Sequence, residues 1–183
     1  ALDLGRAGVQ THESGLIKVD SCFRTEAENV YAVGDVIGLP ALASTSMHQG
    51  RLAVLHAMGR PCPATSTLPV AIYTVPEISS VGRTEEQCRA EEIPYEIGIA
   101  RTNETPRGQI VRDEGLLKLI FRRDTRAILG VHMIGASASE LIHVGLMLVQ
   151  MGGTLDDVQG AVFNYPTLSE AYRIAALDGL NRL

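Results

Sequence analysis

The chain has 183 residues, of which 45% are hydrophobic and 20% charged, a composition typical of a folded domain rather than of a disordered segment. Its net charge of −5 and the lack of a basic cluster argue against nucleic acid and anionic membrane surfaces as partners. No apolar run approaches the length of a membrane span, and the first residues lack the basic-then-apolar pattern of a secretion signal. This length suits one domain, or one domain with part of another.

The three cysteines, Cys22, Cys62 and Cys88, are widely spaced and odd in number. Their spacing matches neither a metal-ligand pattern nor a redox pair, so we expect structural or incidental thiols and no metal site. Unpaired thiols persist in reducing compartments, and a cytoplasmic location is therefore expected.

The first distinctive stretch runs from Asn29 to Arg51. The apolar run Val30–Val33 predicts a buried strand, Gly34 and Asp35 follow at its carboxyl end, and a small-residue helix start comes at Ala41–Ser46. In open α/β sheets, ligands bind beyond the carboxyl ends of strands. A strand-end aspartate can accept hydrogen bonds from sugar-like hydroxyls, and a helix N-terminus offers unpaired N–H groups. The same pattern also fits an ordinary strand-turn-helix unit in which Asp35 caps a turn.

The remaining elements alternate without strict strand-helix-strand order. A helix is predicted from about Leu42 to Met58, ending at Gly59, and the proline-rich residues 60–68 predict a linker. The elements predicted beyond the linker are strands in 70–82 interrupted at 75–77, a capped helix from Thr84 to about Glu92, a strand at 95–100, a loop at 102–108, a hairpin of 116–122 with 128–134, and helices at 136–151, 154–158 and 168–180. Strands and helices in mixed runs indicate an α+β domain.

The sequence YAVGDV, followed by a helix start that contains Leu and Ala and then by Gly50, resembles the second flavin-binding segment of the two-dinucleotide-binding-domain flavoproteins. That superfamily includes glutathione reductase, dihydrolipoamide dehydrogenase, mercuric reductase and flavin-dependent pyridine nucleotide transhydrogenases. The resemblance implies that Asp35 binds the ribityl chain of FAD. It also implies further FAD contacts, with Ala43, Ser44 and the following helix on the pyrimidine side of the ring. The residues expected to bind FAD are Gly34, Asp35, Leu42, Ala43 and Ser44.

The region after the linker resembles the interface (dimerisation) domain of the same flavoproteins over its whole length. The matching residues are Tyr73, Thr74, Pro76, Glu77, Val81, Gly82, Thr84, Glu85, Gly130, His132, Gly135, Ala138, Glu140, Pro166, Thr167 and Glu170. The resemblance implies three parts: residues 1–59 from the nucleotide-binding region with the second FAD-binding segment, a linker at 60–68, and a dimerisation domain at 69–183. It implies an antiparallel sheet with flanking helices, and a homodimer or a higher oligomer as the assembly. The broad apolar face predicted on the helix at 136–151 supports self-association.

No G-x-G-x-x-G turn follows any predicted strand, although a flavoprotein of this type needs two such pyrophosphate-binding turns. We therefore expect the chain to be the C-terminal part of a longer protein. In isolation it would then act as a non-catalytic dimerisation module. A binding protein unrelated to flavin would require the long resemblance to be accidental.

The segment FNYPTLSE distinguishes between members of the superfamily. The disulfide reductases of the superfamily carry a histidine directly before the Pro-Thr of this segment, paired with a glutamate. They need this pair because thiol–disulfide exchange requires a group that takes up and releases protons near neutral pH. Here Tyr165 stands in place of that histidine, while Glu170 is present. Glu170 also fits a purely structural role, since Thr167 to Glu170 is a capping-box pattern for the last helix.

A flavoprotein that passes hydride between NADPH and NAD⁺ through FAD needs no thiol acid–base group. The resemblance therefore favours a pyridine nucleotide transhydrogenase, with NAD(P)(H) as substrate and Tyr165 and Glu170 as candidate active-site residues. The alternative is a dihydrolipoamide dehydrogenase-like enzyme, or another disulfide or metal-ion reductase, that recruits its base elsewhere. That alternative predicts a Cys-x₄-Cys pair in an N-terminal FAD domain.

Overall fold

The computed structural model describes residues 2–63 and 67–183. The chain divides into two compact units, Ala1–Ser66 and Thr67–Leu183, called here the N-terminal unit and the C-terminal unit. Residues 64–66, in the middle of the predicted linker 60–68, lie outside the described residues. Within the described ranges, no helix is long and apolar enough to cross a bilayer.

The described part of the N-terminal unit contains one α-helix, α1 (Ala43–Ala57), together with 3₁₀ turns at Leu4–Ala7 and Gly34–Ile37. The helix predicted for residues 42–58 is therefore confirmed within one residue at each end. Its buried positions are Thr45, Gln49, Leu52 and Ala53. These positions repeat every three to four residues, as one face of a helix requires.

The strand predicted at Val30–Val33 is wrong. Only one antiparallel bridge forms there, between Tyr31 and Arg24. The chain turns back between Thr25, whose N–H donates to the Val30 carbonyl, and Ala32, whose N–H donates to the Phe23 carbonyl. A 3₁₀ turn begins at Gly34, so the extended segment is too short for a second bridge.

The C-terminal unit is built on one five-stranded sheet in the order β1-β2-β5-β4-β3, and every neighbouring pair is antiparallel. Its strands are β1 (Val70–Ile72), β2 (Glu77–Gly82), β3 (Tyr95–Arg101), β4 (Leu116–Arg122) and β5 (Ile128–Gly135). Leu117, Leu119 and Phe121 alternate along β4 and are fully buried, because alternate side chains of a strand point to the same face. The predicted hairpin and the α+β class with an antiparallel sheet are confirmed.

Five helices accompany the described part of this sheet. They are α2 (Glu85–Ala90), α3 (Pro106–Val111), α4 (Ala138–Met151), α5 (Leu155–Gly160) and α6 (Glu170–Leu180). The capping box predicted at Thr84 is confirmed, with both hydrogen bonds to Gln87 formed. The loop predicted at 102–108 is wrong because Thr105 caps α3: its Oγ1 accepts a hydrogen bond from the Gly108 N–H at 3.0 Å. Proline at the next position suits a first helical turn.

Helices α4 and α6 pack on the sheet and close the core of the C-terminal unit. The contact between β3 and α6 is close, since a Cβ added at Gly98 would collide with the Ala175 carbonyl oxygen. On α4, Ile142 is buried, and Leu141, Leu146 and Val149 pack partly buried against the same core. Most of the predicted apolar face of this helix therefore serves the unit's own core rather than an outer surface.

Candidate functional site

The 3₁₀ turn at Gly34–Ile37 packs against α1 in the N-terminal unit. The Gly34 N–H donates a hydrogen bond to Gln49 Oε1 at 2.7 Å. Gly34 has a φ of +78°, and a Cβ at this position would lie 2.9 Å from Ser46 Oγ. Both observations explain why glycine occupies the position, because any side chain would be strained and would push against α1.

Sequence reasoning missed Gln49, whose side chain fixes the Gly34 turn. Its relative exposure is only 8%, and the Gly34 N–H is the partner that its amide oxygen requires at that depth. The available signal was its position on the buried face of α1, between Thr45 and Leu52. A polar side chain on such a face predicts a hydrogen-bond partner, although not which one.

Asp35 follows Gly34 in the same turn and is exposed. Within the described residues its carboxylate forms no hydrogen bond and no ion pair, so its oxygens are available to an external donor. A carboxylate accepts hydrogen bonds without donating any, which suits ligand hydroxyl groups. The alternative in which the Asp35 side chain caps its own turn has no supporting hydrogen bond in the described part of the chain.

The start of α1 provides hydrogen-bond donors near this turn. Leu42 is the N-cap residue, and no side chain of residues 2–63 or 67–183 caps the helix there. The first N–H groups of a helix have no acceptor inside it and lie at the positive end of the helix dipole. Ala43 and Ser44 are exposed and small, so a planar ligand could approach them closely. The structure thus joins the two parts of the predicted cofactor segment, 34–35 and 42–44, through the contact of the turn with α1.

Tyr165 and Glu170 lie in one segment of the C-terminal unit but are not joined by a hydrogen bond. The Tyr165 side chain is 74% exposed and has no hydrogen-bond partner among the described residues. Glu170 Oε2 accepts a hydrogen bond from the Thr167 N–H at 3.1 Å. The Thr167 hydroxyl donates to the Asn164 carbonyl at 2.8 Å instead of capping α6, so only half of the predicted capping box forms.

The two histidines of the C-terminal unit are engaged away from Glu170. His132 Nε2 lies 3.0 Å from the Arg83 carbonyl oxygen, and His143 Nδ1 lies 3.1 Å from the Glu140 carbonyl oxygen. Neither therefore supplies the imidazole that would pair with Glu170 in this unit. Among residues 2–63 and 67–183, no group of three or more His, Cys, Asp or Glu side chains is arranged to hold a metal ion.

An exposed apolar surface lies on the outer side of α4. Met147 is 52% exposed and Met151 is 77% exposed. Together with Val144 and Leu148 they line a groove of about 590 Å³ that ends near Asp157. This surface, called here the α4 groove, is the part of the helix that remains outside the core of the unit.

Two family models match the chain. The model described as pyridine nucleotide-disulphide oxidoreductase, dimerisation domain, matches residues 68–176, and the one described as pyridine nucleotide-disulphide oxidoreductase matches residues 2–50. The first match covers the sheet and most of the helices of the C-terminal unit. The second includes the Gly34–Asp35 turn and the first half of α1.

Curated relatives match the whole length of the chain. A protein named soluble pyridine nucleotide transhydrogenase from Mycobacterium bovis is 50% identical over 184 residues, covering 100% of this chain and 39% of the relative. A protein of the same name from Citrobacter koseri is 46% identical over 189 residues, covering 100% of this chain and 41% of the relative. The chain thus spans about two-fifths of the length of these relatives.

Solved structures of two bacterial proteins are similar to the chain. LpdA from Mycobacterium tuberculosis matches with a TM-score of 0.88 and 30% identity, covering 96% of this chain and 39% of that one. The HOCl-induced flavoprotein disulfide reductase RclA from Escherichia coli matches with a TM-score of 0.90 and 26% identity, covering 96% of this chain and 41% of that one.

Proposed function

Because the chain belongs to the pyridine nucleotide-disulphide oxidoreductase family, we propose that it is the C-terminal portion of a flavoprotein that transfers hydride between NADPH and NAD⁺ through FAD. The proposal is supported by full-length similarity to proteins named soluble pyridine nucleotide transhydrogenase. The corresponding parts are residues 1–59 from the nucleotide-binding region, a linker at 60–68 and a dimerisation domain at 69–183. A cytoplasmic location agrees with nucleotide substrates.

The observation that carries the proposal is the state of Tyr165 and Glu170. Thiol–disulfide exchange needs a group that exchanges protons near neutral pH, a task for which imidazole is suited and for which Tyr165 replaces the histidine. Glu170 already accepts a hydrogen bond from the Thr167 main chain, and Tyr165 is exposed without a partner among the described residues. This segment therefore lacks the paired acid and base of a disulfide reductase. Hydride transfer between nucleotides requires no such pair.

The N-terminal unit offers groups that fit a flavin. Asp35 would accept hydrogen bonds from the ribityl hydroxyls, and the N–H groups at the start of α1 would donate to the pyrimidine carbonyl oxygens. Gly34 and the small side chains of Ala43 and Ser44 leave room for a close approach of the ring, and Leu42 leads into the helix. When bound, FAD takes hydride from one nicotinamide nucleotide and passes it to another.

We propose that two copies of the protein associate through their C-terminal units, in a dimer or a multiple of it. The support is the dimerisation-domain match at 68–176 and the exposed methionines of the α4 groove. In that assembly, Tyr165 and Glu170 of one copy would contribute to the flavin site of the other, with Tyr165 shaping the cavity. The 183-residue chain alone would be a dimerisation module without catalytic activity.

The first experiment uses the full-length protein with NADPH and a thionicotinamide analogue of NAD⁺, in the absence of any thiol or disulfide. Turnover at an ordinary enzymatic rate, about 1–10³ s⁻¹, is expected. Replacing Tyr165 with Phe should change this rate by less than about threefold, because no proton passes through the hydroxyl. A lack of turnover, combined with reduction of lipoamide or glutathione disulfide, would overturn the proposal in favour of a disulfide reductase.

The disulfide-reductase candidate is kept because RclA, at a TM-score of 0.90, carries that description. It predicts reduction of a disulfide substrate, a Cys-x₄-Cys pair in an N-terminal FAD domain, and no loss of disulfide reduction in Tyr165→Phe, because its base would lie elsewhere. The two candidates are thus separated by comparing disulfide reduction with hydride transfer between nucleotides.

The role of Asp35 has its own test in the full-length protein. Replacing Asp35 with Ala should lower the FAD retained after gel filtration by about tenfold, as expected for one lost charged hydrogen bond of about 1.5–3 kcal/mol. Glu26→Ala is the matched control, because Glu26 is also exposed and forms no side-chain hydrogen bond or ion pair among the described residues. Equal FAD contents in the two variants would remove Asp35 from the site.

A further inference from the structure

Two cysteines of the N-terminal unit lie against each other although they are 40 residues apart in sequence. Cys22 Sγ lies 4.0 Å from the Cys62 carbonyl oxygen, and Cys62 Sγ lies 3.9 Å from the carbonyl oxygen of Ser21. Each thiol thus contacts the main chain beside the other cysteine. Sequence spacing gave no sign of a pair, since this separation matches no local redox motif.

Hydrogen bonds hold the chain on both sides of this pair. Asp20 Oδ1 accepts hydrogen bonds from the N–H groups of Cys22 and Arg24, each at 2.9 Å, which fixes the loop that carries Cys22. Before Cys62, the chain leaves α1 through Gly59, and the Arg60 N–H donates to the Leu55 carbonyl at 2.8 Å. The two thiols are therefore brought together by ordered backbone on each side.

We propose that Cys22 and Cys62 form a reversible disulfide, with a small-molecule disulfide such as oxidised glutathione as the oxidant. The proposal is independent of the transhydrogenase function. Both thiols are free and half-buried, so they are within reach of a small reagent. Cys88, by contrast, is buried in the C-terminal unit, and among the described residues no hydrogen bond joins it to another cysteine.

The surroundings of Cys62 favour one order of the two steps. The hydrogen bond with the Cys22 side chain raises the pKa of Cys62 to about 11, with desolvation and the negative charge on Asp20 acting in the same direction. Cys62 therefore keeps its proton near neutral pH, and in the proposed sequence the first attack is made by Cys22.

The chemistry balances as two successive exchanges. The Cys22 thiolate attacks one sulfur of oxidised glutathione, the glutathione S–S bond breaks, and the first glutathione leaves as a thiolate that takes up a proton. Cys62 then loses its proton and attacks Cys22 Sγ in the mixed disulfide, which releases the second glutathione. Two protein thiols are oxidised to one disulfide, and one glutathione disulfide is reduced to two thiols.

The bond would close a loop that runs from Cys22 to Cys62. This loop includes the Gly34–Asp35 turn and all of α1. Joining the ends of a loop removes freedom from its unfolded state, so the oxidised form should hold this segment more firmly than the reduced form. The redox state of the pair would thereby act on the candidate cofactor segment without touching it.

The test exposes the reduced 183-residue chain to glutathione buffers that range from fully reduced to fully oxidised, then blocks free thiols and maps the peptides by mass spectrometry. We expect one linked peptide joining Cys22 and Cys62, with the mass lowered by two hydrogen atoms, and its full reversal by excess reduced glutathione. Cys88→Ser should give the same result. Cys62→Ser should trap glutathione on Cys22, with release at least about tenfold slower than in the parent chain.

Three results would overturn the proposal: no oxidation at any glutathione ratio, glutathione on both cysteines without a link, or disulfides that involve Cys88 or a second chain. Circular dichroism of each serine variant verifies that it is folded. In Cys22→Ser no intramolecular disulfide can form, so glutathione bound to Cys62 should persist in the same way as glutathione bound to Cys22 in Cys62→Ser.

Discussion

The contacts that stabilise the N-terminal unit internally differ in kind from those that stabilise the C-terminal unit. Among the described residues, the buried apolar side chains of the N-terminal unit are Val9, Ala32, Leu52 and Ala53. The C-terminal unit has a continuous apolar core that includes both faces of β4 and the inner sides of α4 and α6. In the N-terminal unit, specific polar contacts fix the turns, such as Gln49 with Gly34 and Tyr31 with His56 at 2.9 Å.

This difference indicates which unit can carry which task. A unit with a large core keeps its shape when its outer surface is used for association, because burial of apolar area stabilises it. A unit held by few apolar contacts and by individual hydrogen bonds opens locally at lower cost. The candidate cofactor groups and the Cys22–Cys62 pair both lie in the N-terminal unit, which is of the second kind. A bound ligand or a covalent bond has its largest effect on the local stability of such a unit.

The largest expected effect comes from the centre of the C-terminal core. Tyr172 is fully buried, its hydroxyl donates to the Leu141 carbonyl at 2.8 Å and accepts from the Gly145 N–H at 3.1 Å, and burial raises its pKa. Tyr172→Ala should lower the free energy of unfolding by about 3–5 kcal/mol, measured in urea by circular dichroism. Tyr165→Ala is the control, with a change within about 0.5 kcal/mol. Similar losses in both variants would mean that Tyr172 does not anchor the core.

A smaller and more local effect is expected in the N-terminal unit. Leu52 on α1 is 2% exposed, and Leu52→Ala should destabilise this unit by about 2–3 kcal/mol, near the lower end for such substitutions. Because the unit has its own small core, hydrogen exchange should rise in α1 while the amides of β4 and β5 remain protected. Val54→Ala on the exposed side of the same helix should leave exchange unchanged. Faster exchange in the sheet would show that the two units unfold as one.

The C-terminal unit was more predictable from sequence than the N-terminal unit, for a physical reason. Alternating burial along Leu116–Arg122 and the capping box at Thr84 are local patterns, written within a few residues. Val30–Val33 looked like a strand because it is apolar, yet a strand also needs a long enough partner, and the chain around Tyr31 offers a single bridge. Thr105 followed by Pro106 is a local pattern that predicts the start of a helix, and the loop predicted at 102–108 did not take it into account.

The candidate site also has a part that local sequence patterns predict and a part that they do not. Gly34, Asp35 and the helix start at 42–44 belong to one short motif, so the sequence could point to them. The hydrogen bond from Gly34 to Gln49 spans 15 residues, and the contact of Cys22 with Cys62 spans 40. No local pattern encodes such contacts, because they arise only when the chain has folded. Leu146 illustrates a different difficulty. The periodicity of the sequence places it on the apolar face of α4, but periodicity does not distinguish a residue that packs in the unit's own core from one that packs in an interface with a second copy.

Dimer formation should be weakened by a charge placed in the α4 groove, and not by a charge placed at any other exposed apolar residue. Met147→Asp places a charge on the groove, and burying an unpaired charge in an interface is costly. We expect the dissociation constant of the dimer to rise at least about tenfold, corresponding to about 1.4 kcal/mol, in sedimentation equilibrium. Met58→Asp, at a methionine that is 73% exposed in the N-terminal unit, is the matched control. Equal dissociation constants for the two variants would place the interface elsewhere.

The smallest effect concerns a surface ion pair that could supplement the core of the C-terminal unit. Lys118 Nζ donates to Glu85 Oε1 at 2.7 Å, and this hydrogen bond lowers the pKa of Glu85 against the opposing effect of desolvation. A carboxyl group whose pKa is lower in the folded state than its unfolded value of about 4.3 stabilises the fold above that value. The contribution is lost as the pH falls through the folded pKa.

Between pH 6 and pH 3, Glu85→Gln should therefore lose less unfolding free energy than the parent chain. The difference should be under about 1 kcal/mol because the side chains of Lys118 and Glu85 are both partly exposed. Glu114→Gln, at an exposed glutamate without an ion pair among the described residues, should follow the parent. If Glu85→Gln also follows the parent, the stability of this unit rests on its apolar core and the ion pair adds nothing measurable.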